Sequence, residues 1–201
     1  MSSDVTLPLR LVVLISGNGS NLQAIIDSIE NQNLPAQIVA VISNKADAYG
    51  LERAKKAGIE QHVLSHQNYK SREDFDIALK KLIDSFQPDL IILAGFMRIL
   101  SDEFVNHYLY KMMNIHPSLL PKYKGLNTHQ RVLDAGDKEH GCSVHFVTPE
   151  LDDGPVILQA KITVDTNETA ESLAKKVHQQ EHIIYPDAIR LFAENKDITL
   201  P

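Results

Sequence analysis

A single cysteine among 201 residues excludes an internal disulfide framework. Cys142 lies in a strand-like run from Gly141 to Val147 with no sulfur partner, so it reads as a small buried apolar side chain rather than a catalytic thiol. A lone thiol suits a reducing, cytoplasmic compartment. No apolar run approaches the ~18 residues that a membrane-spanning helix needs. Runs such as Leu11–Ile15 and Leu90–Ala94 are strand length. Met1 to Leu9 lacks the basic-then-apolar pattern of a signal peptide. Lysine and arginine form no long cluster, and the formal net charge is −6, which argues against a sequence-independent grip on nucleic acid or an anionic membrane. The nine histidines are scattered without zinc-site spacing, so no metal is expected. Internal repeats, low-complexity tracts and linkers are also missing. Small-molecule partners are what remain.

The hydrophobic fraction of 43% and charged fraction of 23% are ordinary globular usage, and 201 residues suit one domain of two merged halves. Leu9–Ile15 is nearly continuous apolar and β-branched, as in a central parallel strand covered on both faces. Strand and helix patterns then alternate: a helix through Leu22–Ile29, a strand at Gln37–Ile42, a helix over Ala46–Ala57 ended by Gly58, and a short strand at Gln61–Leu64. A Ser71-capped helix, a strand at Asp89–Ala94, a short helix capped at Ser101 and a strand from Tyr110 to Ile115 follow. This predicts an α/β, Rossmann-like, mostly parallel sheet with helices on both faces. Beyond residue 110 come a helix at Leu126–Ala135, strands at Gly141–Val147 and Val156–Val164, and a long helix from about Glu168. The short connection between the last two strands predicts an antiparallel pair and a mixed sheet. Pro186 is expected to kink or restart the final helix.

Three places carry chemistry. Ser16-Gly17-Asn18-Gly19-Ser20-Asn21 joins the first strand to the first helix, where free amides and the helix dipole hold an anion. Leu22 stands where a dinucleotide fingerprint needs a third glycine, so one phosphate fits better than a pyrophosphate; a plain tight turn with an N-cap at Ser20 or Asn21 stays open. Asn114 and His116, two apart on a strand, share one face, and Pro117 ends the strand so that His116 is held at its tip. That is either a catalytic strand end or a capped one. Gly95 to Leu100, with Met97, Arg98 and Ile99, suits an apolar slot for a flat ring with a charged handle, or hydrophobes tucked under the next helix. Pro121 to Gly125 has the composition of a loop that moves over a site. Glu181 falls on the apolar stripe of the last helix, where a carboxylate is paired or grips something polar.

Taken together, the stretches Ile15–Gln23, Ser43–Ala48, Ala94–Leu100, Asn114–Pro121, His145–Val147 and Leu151-Asp152-x-Gly154-Pro155 resemble the folate-dependent formyltransferase family, in family order over nearly the whole chain. The resemblance implies a single formyltransferase domain over 1–201, with a phosphate-binding half to about 110 and a catalytic, folate-binding half from about 111. It implies formyl transfer from the co-substrate 10-formyltetrahydrofolate to the glycinamide amine of a phosphoribosyl substrate, a step of de novo purine synthesis, with neither metal nor nucleoside triphosphate. Asn114 and His116 would stabilise the developing oxyanion, and Asp152 would orient or charge His116 and help move the proton. Gly19, Ser20 and Asn21 would take the phosphate, and Glu181 the ribose hydroxyls. Met97, Arg98, Ile99, Leu100, Asn114 and the Thr148–Asp152 turn would hold the pterin, and Arg72 would meet the folate glutamate tail. A monomer or weak homodimer is expected.

The sequence departs from the family pattern where Asp153 replaces a second glycine, Lys124 a proline, Asn127 a histidine and His178 a Gln or Lys. None of these removes a group the chemistry requires. Other readings remain: a formyltetrahydrofolate deformylase, which has no use for the phosphate turn, a noncatalytic phosphate-binding Rossmann-type module, and formylation of a charged initiator tRNA, which the acidic balance disfavours.

Overall fold

The computed structural model describes residues 7–194, so both ends of the 1–201 domain assignment, including the Met1–Leu9 reading at its first six residues and the terminal Pro201, lie outside the described residues. Five β-strands alternate with helices: β1 (Leu9–Ile15), α1 (Ser20–Glu30), β2 (Ala36–Ser43), α2 (Tyr49–Lys56), β3 (Gln61–Val63), α3 (Arg72–Ser85), β4 (Leu90–Leu93), α4 (Asp102–His107) and β5 (Met112–His116). Then come α5 (Thr128–Ala135), β6 (Glu139–Phe146), β7 (Val156–Thr163) and α6 (Ala170–Glu194). They form a mixed sheet of order β3-β2-β1-β4-β5-β6-β7. The contacts of β1 with β2 and β4, of β2 with β3 and of β4 with β5 are parallel; β5–β6 and β6–β7 are antiparallel.

Alternation along β1 explains why apolar residues, at every position but Arg10, are needed on both faces. Leu11, Val13 and Ile15 face a core with α1, α2 and α6, while Val12 and Leu14 face a second core with α3 and α4. The fully buried Tyr185 of α6 ties the first core to the sheet, its hydroxyl lying 2.8 Å from the Leu93 carbonyl and 3.0 Å from that of Met113. The chain leaves β1 towards β2 on one side and later returns to β4 on the other. This reversal opens a crevice at the carboxyl ends of β1 and β4, where open α/β sheets bind ligands.

Several boundaries move. α2 starts at Tyr49 rather than Ala46, because Asn44–Ala48 is a turn tied by the Ser43 hydroxyl to the carbonyl of Lys45. β5 starts at Met112, not Tyr110, since Tyr110 has a left-handed backbone (φ 61°) that no ladder accepts. Pro186 neither breaks nor restarts α6, which runs unbroken through it. Tyr185 beside it is anchored to two strands, and this packing outweighs the local loss of one N–H.

Candidate active site

The turn after β1 is an open anion cradle. Gly19 caps α1 with φ 73° and no side-chain cap, so Ser20 and Asn21 lie inside the first helical turn instead of capping it. The first intrahelical bond runs from Gln23 N–H to Gly19 O at 2.9 Å, leaving the amides of Ser20, Asn21 and Leu22 without an intrahelical acceptor. A Cβ at Gly19 would come within 2.7 Å of the Gly50 Cα, so α2 packs directly on the turn. Arg53 of α2 braces it from outside, donating Nε to the Asn18 carbonyl (2.9 Å), Nη2 to Asn18 Oδ1 (2.9 Å) and Nη1 to Gln23 Oε1 (3.3 Å). Asn21 Nδ2 donates to Glu181 Oε2 at 3.0 Å, while Asn21 Oδ1 is buried without a partner. The expected carboxylate on the apolar stripe is thus buried, half-satisfied by Asn21 and next to the turn. His178 Nε2, one turn earlier, lies 3.9 Å from Glu181 Oε2.

At β5, antiparallel pairing sets Asn114 opposite His145 and His116 opposite Ser143. His145 Nδ1 lies 2.8 Å from the Phe146 carbonyl, which can only accept, so Nδ1 carries the proton and Nε2 accepts from Asn114 Nδ2 at 3.3 Å. Burial pushes the His145 imidazole below its usual range, consistent with that neutral form. His116 faces an acceptor on each side: the Tyr123 carbonyl 2.9 Å from Nε2, and Asp152 Oδ2 3.4 Å from Nδ1. The Tyr123 carbonyl can only accept, so Nε2 donates to it, while Nδ1 faces the carboxylate. Asp152 Oδ1 is 3.8 Å from His145 Nε2, and Oδ2 accepts from the Gly125 amide at 2.9 Å. Asn114, His116 and Asp152 therefore converge, with His145 between the first and the last.

The loops that carry them are fixed by short polar links. Ser143 Oγ donates to the Ser118 carbonyl (2.7 Å) and accepts from the Leu120 amide (3.0 Å), and Ser118 Oγ donates to the Lys122 carbonyl (2.6 Å). These bonds explain the serine after His116-Pro117: it anchors the chain leaving β5. Asp152 adopts a left-handed backbone (φ 51°), which Asp tolerates better than most residues. Two residues on, a Cβ at Gly154 would lie 1.8 Å from the Phe146 carbonyl, so only glycine lets this turn fold back over β6.

The folate-side candidates are less convergent. Met97 and Ile99 are exposed, while Leu100 packs into the α3/α4 core, so its side chain lines no slot. The Met97 amide donates to Ser16 Oγ at 2.8 Å, and Ser16 Oγ donates to Asn44 Oδ1 at 2.5 Å, locking the β4 loop to the phosphate turn. Arg98 stacks its guanidinium 5.9 Å over Phe75, and its Nε is buried without a partner. Thr148 Oγ1 donates to the Glu150 carbonyl at 3.3 Å. Among the described residues Arg72, at the start of α3, pairs with neighbouring Glu73 alone and joins none of the bonds at the centre. An unpartnered buried Nε, exposed Met97 and Ile99, and a rigid backbone between them fit a flat, polar-edged ring system.

The formyl transferase family model matches residues 9–189. The chain belongs to the formyl transferase family. It is 55% identical to the Escherichia coli phosphoribosylglycinamide formyltransferase over 188 residues, 94% of this chain and 89% of that protein. The phosphoribosylglycinamide formyltransferase structure of Coxiella burnetii superposes with a TM-score of 0.90 at 56% identity, covering 94% of this chain and 88% of that one. The bovine trifunctional purine biosynthetic protein adenosine-3 is 51% identical over 92% of this chain, but only 18% of its own length is covered.

Sequence reasoning gave no role to three contacts at this candidate site. His145 required the β5–β6 register, Arg53 the packing of α2 on the turn, and Ser16–Asn44 a bond between loops 28 residues apart. The signals for His145 were its place on one face of a strand with Ser143 and its membership of the His145–Val147 stretch in the family resemblance.

Proposed function

We propose that Asn114, His116 and Asp152 form the reacting centre of formyl transfer. Gly19, Ser20, Asn21 and Glu181 hold the phosphoribosyl end, and Arg72, Met97, Arg98, Ile99, Leu100, Asn114, Thr148 and Asp152 serve the folate side. The chain is a phosphoribosylglycinamide formyltransferase of de novo purine biosynthesis, and its family uses 10-formyltetrahydrofolate. That co-substrate supplies the formyl carbon. As the glycinamide amine adds to it, negative charge develops on the formyl oxygen, and the Asn114 amide and the His116 ring are the donors for it. His145 holds the Asn114 amide through its Nε2, so one amide N–H is fixed and the other is free to donate. Asp152, 3.4 Å from His116 Nδ1, is placed to move the proton that the attacking amine loses towards N10, as the formyl C–N10 bond breaks and tetrahydrofolate leaves.

The observation that carries this reading is the His116–Asp152 contact of 3.4 Å at the tip of β5, in a sheet whose β1 turn presents free amides beside Asn21 and Glu181. Glu181 accepts from Asn21 yet keeps a second carboxylate oxygen for ribose hydroxyls. A transfer assay with both substrates, and with each withheld, tests it. Formylated product is expected only when both are present. Formate released at full rate without phosphoribosylglycinamide would reject it in favour of a hydrolase.

A further inference from the structure

Three consecutive residues of one loop touch both members of the His116–Asp152 pair or its neighbour. The Tyr123 carbonyl lies on His116 Nε2, the Gly125 amide donates to Asp152 Oδ2, and between them Lys124 Nζ forms an ion pair with Asp153 Oδ1. The other ties of this loop point back to its own side. Lys122 and the Tyr123 hydroxyl bind Asp137, and the Arg131 guanidinium donates to the Lys124 carbonyl. Only the Gly125–Asp152 and Lys124–Asp153 links are found between the loop and the turn bearing Asp152, among the hydrogen bonds and ion pairs of the described residues. That turn needs holding, because Asp152 sits in a left-handed backbone region that persists only where its surroundings fix it.

We propose that Lys124 and Asp153 are positioning residues: their ion pair keeps the loop and the turn in register, so that His116 and Asp152 stay aligned. The inference rests on the reading of Asn114, His116 and Asp152 as the reacting centre. Neither residue touches the reacting atoms; each acts through its chain neighbour, Lys124 through Tyr123 and Gly125, Asp153 through Asp152. The pair is partly exposed, with side chains at 37% and 52%, so its attraction is screened and its effect modest.

The test is steady-state kinetics on Lys124→Met, Asp153→Asn and the charge-reversed double variant Lys124→Asp with Asp153→Lys. Each single variant is expected to lower kcat about two- to fivefold, the range of a partly exposed ion pair, with both KM values unchanged. The deficit should vanish in ~1 M salt, where screening acts within about 3 Å. The reversed pair should recover most of the lost kcat. A change confined to KM would overturn the proposal, because the side chains would then be touching a substrate. So would an unchanged or raised kcat in the single variants, or a folded reversed pair that recovers nothing. Should the reversed pair fail to fold, the single variants and their salt dependence decide alone. If the wild-type chain itself transfers no formyl group, the reading of the centre fails; if it does and the single variants match it, only the positioning role fails.

Discussion

The two ends of the site are built on opposite plans. The proposed phosphate end is one turn of four residues between β1 and α1 with the first residues of that helix, closed by backbone against backbone at Gly19 and Gly50. The proposed acyl-transfer end is assembled from β5, the 121–125 loop, β6 and the 148–155 turn, held by side-chain-to-backbone bonds of 2.6–2.9 Å. A phosphate asks only for fixed N–H groups, which a local turn provides without help from distant residues. A transferring acyl group asks for a donor, an imidazole and a carboxylate on three sides of one point, and no single turn can supply that geometry. Damage at the first end should therefore appear in binding, and damage at the second in turnover.

The largest effects belong to the assembled end. Asn114→Ala and His116→Ala should each lower kcat by about 10²–10³, the usual loss for one oxyanion donor, with little change in either KM. Asp152→Asn keeps the shape but removes the charge beside His116 Nδ1, and should fall in the same range. A rise in KM with kcat intact, in any of the three, would break the contrast between the two ends.

At the phosphate end the expected loss is smaller and lies elsewhere. Arg53→Ala removes three hydrogen bonds from the turn, and should raise KM for the phosphoribosyl substrate about tenfold while leaving the folate KM alone. Gly19→Ala meets both a left-handed backbone and the Gly50 Cα at 2.7 Å. It should cost at least about 1–2 kcal/mol of stability, or ~2–8 °C in Tm, and weaken the same substrate. An equal rise in both KM values would show that the turn also serves the folate side.

The same contrast decides how much was legible beforehand. β1, the phosphate turn and the Ser71 and Ser101 caps are local features, and sequence periodicity and cap chemistry placed them within a residue or two. Asn114 and His116 were legible as a pair because their spacing is local to one strand. Their tie to Asp152 was not, since it depends on how the 148–155 turn folds back over β6; only the family resemblance pointed to it. Arg53 acts across helices, and no pattern along the chain marks such a partner; His145 lay in a stretch of the family resemblance, but its bond to Asn114 needed the β5–β6 register. The expected restart at Pro186 failed for the same reason: the anchors of Tyr185 lie on β4 and β5, far away in sequence.

The acyl-transfer half also holds the buried imidazoles that should make stability fall in acid. Burial, with the nearby His129 charge, pushes His140 down to about 4, and burial also lowers His129, His145 and, on α6, His182. These groups bind protons more readily unfolded, near pH ~6.5, than folded. Their contribution to stability is complete above that value and is lost progressively as pH drops from about 6.5 towards 4. Tm should therefore decrease between pH 7.5 and 5, and His140→Gln should flatten the slope. A Tm independent of pH over that interval would show that these rings do not stay neutral when folded.

The smallest effect separates a rim contact from both ends. Arg72 has only Glu73 for a partner, with side-chain exposures of 46% and 61%, so Arg72→Ala should leave stability within about 0.5 kcal/mol. A partner for a glutamate tail works at the rim in high dielectric, where one ion pair is worth at most about 1 kcal/mol, or fivefold in KM. That rise should appear for a folate donor carrying its glutamate tail and vanish for one lacking it, with kcat and the phosphoribosyl KM constant in both cases. Equal effects on the two donors would remove Arg72 from the folate side. The dependence on the tail is decisive, because a substitution acting through α3 packing would weaken both donors alike.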